Sequence, residues 1–139
     1  SDELAGAAFV SGRFHLDTDF LIRALTWRSR PEFKRLEELA QGDATFEMSA
    51  LAWYEFARGP RRPEELALAQ QFLGPGAILD FDRLAAERAA ELFRRRKAKR
   101  RRAIDVAIAA VALMRGATLL TGNPRDYEDL DGLLLDRPH

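Results

Sequence analysis

Short apolar runs and longer amphipathic stretches take turns along this chain, and that alternation leaves few folds open. Arg13–Leu16, Thr45–Met48, Ala77–Phe81, Ala117–Thr121 and Leu133–Leu135 have the length and apolar content of strands. Between them lie segments with helical punctuation. Residues 19–27 and 31–41 come first, the latter opened by Pro31. Residues 50–58 follow Ser49 as N-cap and stop at Gly59-Pro60. Pro63 opens a segment reaching about Leu73, which Gly74-Pro75-Gly76 breaks. Asp82 caps a long amphipathic segment, and roughly 103–115 ends at Gly116. Strands separated by helices of this length do not pair as hairpins; they pair in parallel through crossovers. The expectation is an α/β fold, a three-layer α/β/α sandwich with a central, mostly parallel sheet of four to five strands.

At 139 residues the chain has about one domain's length. It divides into an N-terminal extension, residues 1–12, and a single domain, residues 13–139. No cysteine is present, which excludes disulfides, thiol chemistry and cysteine-bound zinc. No apolar run approaches the roughly 20 residues that span a bilayer. The opening SDELAGAAFVSG has neither the basic start nor the apolar stretch of a secretory signal. A cytoplasmic setting without membrane contact is expected. The zero net charge hides an asymmetry: Arg94, Arg95, Arg96, Lys97, Lys99, Arg100, Arg101 and Arg102 supply eight of the 22 basic residues. Such a stripe is either a solvated helix end or a contact for a phosphate backbone, bound by counter-ion release.

Four acidic motifs carry the chemistry. Asp17 ends the first apolar run in FHLDTDFLI, Glu55 lies in SALAWYEFARG, Asp105 opens the apolar stretch RRAIDVAIAAVAL, and Asn123 and Asp126 follow a strand in LLTGNPRDYEDL. Each has a bland reading. Asp17 is a possible helix cap, although Asp19, nearer the periodic Phe20, Leu21 and Leu25, is the better cap candidate. Glu55 is a surface glutamate unless its aromatic neighbours shield it. Asp105 suits a helix dipole, and Asn123 before Pro124 suits a turn. Taken together they ask for more. In α/β sheets ligands bind beyond the carboxyl ends of strands, where Asp17 and the Thr121–Asp126 segment fall. Converging carboxylates repel and need a cation, and oxygen-only ligation points to Mg²⁺ or Mn²⁺. His15, alone in a strand, reads as structural. Trp27, Trp53 and Tyr54 read either as core or as interface.

In this order and spacing the motifs resemble the PIN-domain nucleases, especially the VapC-type toxins of toxin–antitoxin modules. The family's D-T-[NS]-x-[LI] is matched by Asp17-Thr18-Asp19-Phe20-Leu21. Its helix-borne Glu after a Ser/Thr is matched by Glu55 after Ser49, and its D-x-x-I-A-A by Asp105 to Ala110. Its T-x-[ND]-x-x-D-[FY] is matched by Thr121 to Tyr127. The chain departs from the pattern in Asp19, where Asn or Ser is usual, and in dividing the fourth position between Asn123 and Asp126. The resemblance implies a PIN-like sandwich and a Mg²⁺- or Mn²⁺-dependent endoribonuclease. Asp17, Glu55, Asp105 and Asp126 would act as metal ligands and catalytic groups. Thr18, Ser49, Thr121 and Asn123 would steady those carboxylates, and the basic run 94–102 would guide RNA. It further implies single-stranded RNA as substrate, with tRNA frequent among such enzymes, a homodimer, and a VapB-like antitoxin.

Two other readings compete. One is a PIN-like module that binds RNA without cutting it. The other is a haloacid-dehalogenase-type phosphatase, suggested by Asp17-x-Asp19, although that family expects Thr or Val at the position held by Leu21.

Overall fold

The computed structural model describes residues 11–96 and 102–136. Lys97, Lys99, Arg100 and Arg101 of the basic run, and most of the N-terminal extension, lie outside the described residues. The elements in chain order are β1 (Ser11–Leu16), α1 (Thr18–Thr26), α2 (Pro31–Ala40), β2 (Asp43–Ser49), α3 (Ala50–Arg58) and α4 (Pro63–Phe72). There follow β3 (Ile78–Leu79), α5 (Arg83–Arg95), α6 (Ala103–Arg115), β4 (Thr118–Leu120), a 3-10 turn (Pro124–Tyr127) and β5 (Leu134–Leu135). All the strands are parallel, in the order β3-β2-β1-β4-β5. The α/β class is as expected, with five strands flanked by helices.

Boundaries moved where pairing decided them. Ser11 and Gly12, read from the sequence as extension, are the first residues of β1, because Asp43 and Ala44 of β2 pair with them. The third strand is two residues where five were expected, since only Met48 and Ser49 of β2 reach it. The caps follow local chemistry. Asp82 accepts from the Ala85 N–H at 2.9 Å, and Ser49 accepts from the Leu51 N–H at 3.1 Å. Gly116 ends α6 at φ 63°, a conformation that costs glycine nothing.

The core is continuous from Phe14 and Leu16 of β1 through Met48, Leu119 and Leu120 to Phe20, Leu21 and Leu25 of α1 and Ile108 of α6. Alanines let α6 come close: Ala109 and Ala112 join this core, while Ala107 and Ala110 meet Ala89 of α5. Trp53 packs against the core, whereas Trp27 and Tyr54 are exposed. No helix among the described residues is long and apolar enough to cross a membrane.

His15 is fully buried and, alternating with Phe14 and Leu16, faces the other side of the sheet. Its register partner on β2 is Glu47, whose Oε2 lies 2.8 Å from His15 Nδ1. Glu47 also accepts from Arg115 at 3.1 Å and pairs with Arg13 at 3.4 Å. Burial pushes the Glu47 carboxyl up, but the bonds from His15 and Arg115 outweigh it and hold the group below its ordinary value. Removing one partner of such a cluster strands the others. Glu47→Ala should therefore cost about 3 kcal/mol in urea unfolding; a loss under about 1 kcal/mol would show the cluster to be dispensable.

Candidate active site

β2 and β3 extend the sheet on one side of β1, and β4 and β5 on the other. Where strand order reverses, the connections leave in opposite directions and open a crevice beyond the carboxyl ends. The Asp17 N–H donates to the Leu120 carbonyl at 3.1 Å, tying the ends of β1 and β4 together at its floor. Here lies a cavity of about 190 Å³ whose lining includes Asp17, Glu55, Asp105 and Asp126. The four predicted carboxylates, drawn from segments up to 109 positions apart, share this one space. Asp19, Thr18, Thr121 and Asn123 also line it. A wider groove of about 410 Å³ between α5 and α6 is lined by Leu84, Leu92, Leu113 and Met114 among others and holds none of these carboxylates.

Asp17 is the N-cap of α1, not Asp19 as the sequence suggested. Asp17 leaves β1 in extended geometry (φ −85°, ψ 166°), which sets its Oδ1 2.8 Å from the Phe20 N–H. Asp19 sits one residue inside the helix, exposed at the cavity wall. The other Asp17 oxygen receives the Tyr127 hydroxyl at 3.4 Å. Burial pushes the Asp17 carboxyl up to about 7; hydrogen bonds from Thr121 and Phe20 oppose this, and Asp19 and Asp105 add repulsion. One oxygen of Asp17 thus caps the helix, and the other accepts from Tyr127 in the cavity wall.

Glu55 is half-buried on α3, where the Thr18 hydroxyl lies 2.9 Å from its Oε1 and Arg58 lies 3.9 Å from its Oε2. Asp105 stands in the first turn of α6. Burial raises its pKa, Arg102 pulls it down, and Asp19 and Glu55 push it up again. Asp126 is held by Arg102, Nη1 to Oδ2, at 2.9 Å. Tyr127 is buried and kept protonated far above its ordinary range, by burial first and then by the fields of Asp17, Asp105 and Asp126. It can only donate.

Ser49 was expected to steady a carboxylate; its hydroxyl instead caps α3, fully buried. Arg96 was grouped with the RNA-facing run, yet it is buried. It bonds to Asp129 at 3.0 Å and to the Asp126 carbonyl, bracing the loop that carries Asp126. Arg94 and Arg95 remain exposed in the last turn of α5. Arg58 and Tyr127 line the cavity without having been singled out. Tyr127 had a signal, an aromatic residue directly after Asp126; Arg58 had none.

The lining is rich in oxygen ligands, carries excess negative charge and includes a carboxyl raised chiefly by burial, which suits a hard divalent cation. Among the described residues no three acidic or histidine side chains stand close enough together to ligate one as placed. A profile of the PIN domain matches residues 15–133. The chain belongs to the PIN domain family. Membership sets aside the phosphatase reading of Asp17-x-Asp19. Among solved structures, a chain of the VapBC2 complex from Rickettsia felis, bound to a promoter DNA fragment, matches this PIN domain with a TM-score of 0.70. The identity is 20%, covering 91% of this chain and 99% of that one. A chain of a toxin–antitoxin complex from Klebsiella pneumoniae gives 0.69 at 23% identity, covering 90% and 97%. One from DNA-bound VapBC of Salmonella typhimurium gives 0.64 at 23%, covering 89% and 96%. At such identities the likeness is one of fold. No curated protein matches the sequence.

The raised Asp17 carboxyl makes the metal-free PIN domain sensitive to pH. The native group keeps its proton up to about pH 7, whereas an unfolded Asp releases it near about 3.9. The native state thus holds an extra proton between those values. This contribution is fully present below about pH 4 and is lost as pH rises toward about 7. In a chelator, thermal melts should show the wild type losing stability across that window relative to Asp17→Asn, by up to about 4 kcal/mol. Parallel curves for the two proteins would contradict the assignment.

Proposed function

We propose that this PIN domain is a metal-dependent endoribonuclease that hydrolyses phosphodiester bonds in single-stranded RNA. In this reading it is the toxin of a type II toxin–antitoxin pair, working as a homodimer and restrained by a VapB-like antitoxin; tRNA is a candidate substrate. The observation that carries the reading is the convergence of Asp17, Glu55, Asp105 and Asp126 on one cavity at the reversal of strand order. Family membership and the toxin–antitoxin complexes among its structural neighbours support it.

Asp17, Glu55, Asp105 and Asp126 would hold Mg²⁺ or Mn²⁺, which supplies neutralisation of the phosphodiester and activation of a water molecule. Everything else falls to the chain's own groups. Thr18 fixes one Glu55 oxygen, and Tyr127 and the Phe20 N–H fix Asp17, so the acids are oriented before substrate arrives. Arg58, at the cavity edge, is placed to meet a backbone phosphate. Arg94 and Arg95, with Arg102, would extend that positive path. The attacking water gives up a proton to solvent as its oxygen bonds to phosphorus and the ester P–O bond breaks, and the leaving oxygen takes up a proton from solvent in return.

The test is cleavage of single-stranded RNA in Mg²⁺ or Mn²⁺ by wild type, Asp17→Asn and Asp105→Asn. Each substitution should lower the rate at least about 100-fold, and chelation should abolish it. Equal cleavage by all three proteins would defeat the assignment of the nuclease to this site, and RNA binding without cleavage by the wild type would leave the non-cutting RNA-binding module.

A further inference from the structure

We propose that Arg102 is the built-in counter-cation of the acidic cavity: it bridges Asp126 and Asp105 in the metal-free protein and must release them for a divalent ion to bind. The inference rests on the metal-dependent reading above and deepens it by naming what the ion displaces.

The geometry carries the argument. One guanidinium nitrogen, Nη1 of Arg102, lies 2.9 Å from Asp126 Oδ2 and 3.6 Å from Asp105 Oδ2. It thus serves two of the four carboxylates that the ion would need. Arg58 reaches only Glu55, at 3.9 Å, and Asp17 is met by neutral donors. Arg102 is where a positive charge already stands between acids that otherwise repel.

Its backbone supplies an independent observation. Arg102 has φ 46° and ψ 74°, the sole non-glycine with positive φ among the described residues. That region is unfavourable for a residue with a Cβ. It is also the N-cap of α6, where a Ser or Asp would accept a backbone N–H; an arginine cannot, and no side-chain cap bond is made. Local chemistry therefore disfavours arginine here twice. The side chain instead reaches across the cavity to two carboxylates, and strained backbone of this kind gathers at switch and ligand sites.

The pairs are also suited to being broken. The Arg102 side chain is 40% exposed, and those of Asp105 and Asp126 are 31% and 32% exposed. Ion pairs this open contribute little in water. A divalent cation offered the same oxygens carries twice the charge in a smaller radius and displaces the guanidinium. Once freed, Arg102 remains at the cavity mouth and becomes a donor for a substrate phosphate. Loading the ion thereby uncovers a phosphate-binding group.

Mn²⁺ binding measured by calorimetry, without RNA, decides the matter for wild type, Arg102→Gln, Arg102→Lys and Asp105→Asn. Removing the competitor in Arg102→Gln should tighten Mn²⁺ roughly tenfold, the scale of two partly exposed ion pairs, while Arg102→Lys stays near wild type. The Mn²⁺-induced rise in Tm should also be larger for Arg102→Gln, since its carboxylates lack a partner until the ion arrives. If Gln destabilises the cap, Arg102→Gly suits the left-handed backbone and should tighten Mn²⁺ likewise. Unchanged or weaker Mn²⁺ binding by both neutral variants, with Asp105→Asn still weakening it, would overturn the inference and leave the metal site standing. Absence of Mn²⁺ binding in every protein would overturn both.

Discussion

At a few ångströms two carboxylates repel by about 1 kcal/mol in water and by several times that in a partly shielded cleft. A crevice that gathers Asp17, Asp19, Glu55, Asp105 and Asp126 therefore has to be held by something other than its own contacts. The sheet does this. Asp17 is fixed by backbone pairing at the end of β1 and by its bond to Leu120 of β4. Asp105 is fixed by a helix whose following turns are buried in the core. Hydrophobic burial elsewhere sets these positions, and the repulsion is left for a cation to relieve.

Two buried acids show the difference between a closed cluster and an open one. Glu47 and Asp17 both sit at or near the ends of central strands and are both almost inaccessible. Glu47 faces His15, Arg13 and Arg115, and its carboxyl is held low despite burial. Asp17 faces only neutral donors and other acids, and its carboxyl is driven up. The first arrangement gives its carboxylate basic partners on three sides. In the second, no positive side chain among the described residues bonds to Asp17 itself, and Arg58 and Arg102 in the same cavity pair with the other acids, leaving a buried carboxyl of the kind found at functional sites.

Three of the four acidic motifs were legible because each lies next to an element boundary that the chain announces: Asp17 after an apolar run, Asp105 before one, Asp126 in a loop following a strand; Glu55, inside α3, was marked by its aromatic neighbours. Where side chains point was less so. Asp17 and Asp19 both looked able to cap α1, and the choice depended on the extended backbone that β1 imposes on Asp17. Arg96 was indistinguishable in the sequence from its basic neighbours. Only the folded loop shows that it turns inward to Asp129 while Arg94 and Arg95 stay outside. Ser49 accepts from the Leu51 N–H as the cap of α3 and is not among the residues lining the cavity.

Alternating apolar periods and turn residues by themselves determined an α/β chain with parallel strands, because those patterns act over a few residues and each element carries its own. They also determined that Asp17, Asp105 and Asp126 were acids to suspect, through their position at element ends. The strand order β3-β2-β1-β4-β5, and with it the meeting of residues 17, 55, 105 and 126, was decided only by tertiary packing. So were the entry of Arg58, Arg102 and Tyr127 into the cavity and the withdrawal of Arg96 from the surface. Charges interact through space, and the distances that govern them exist only once the core has closed.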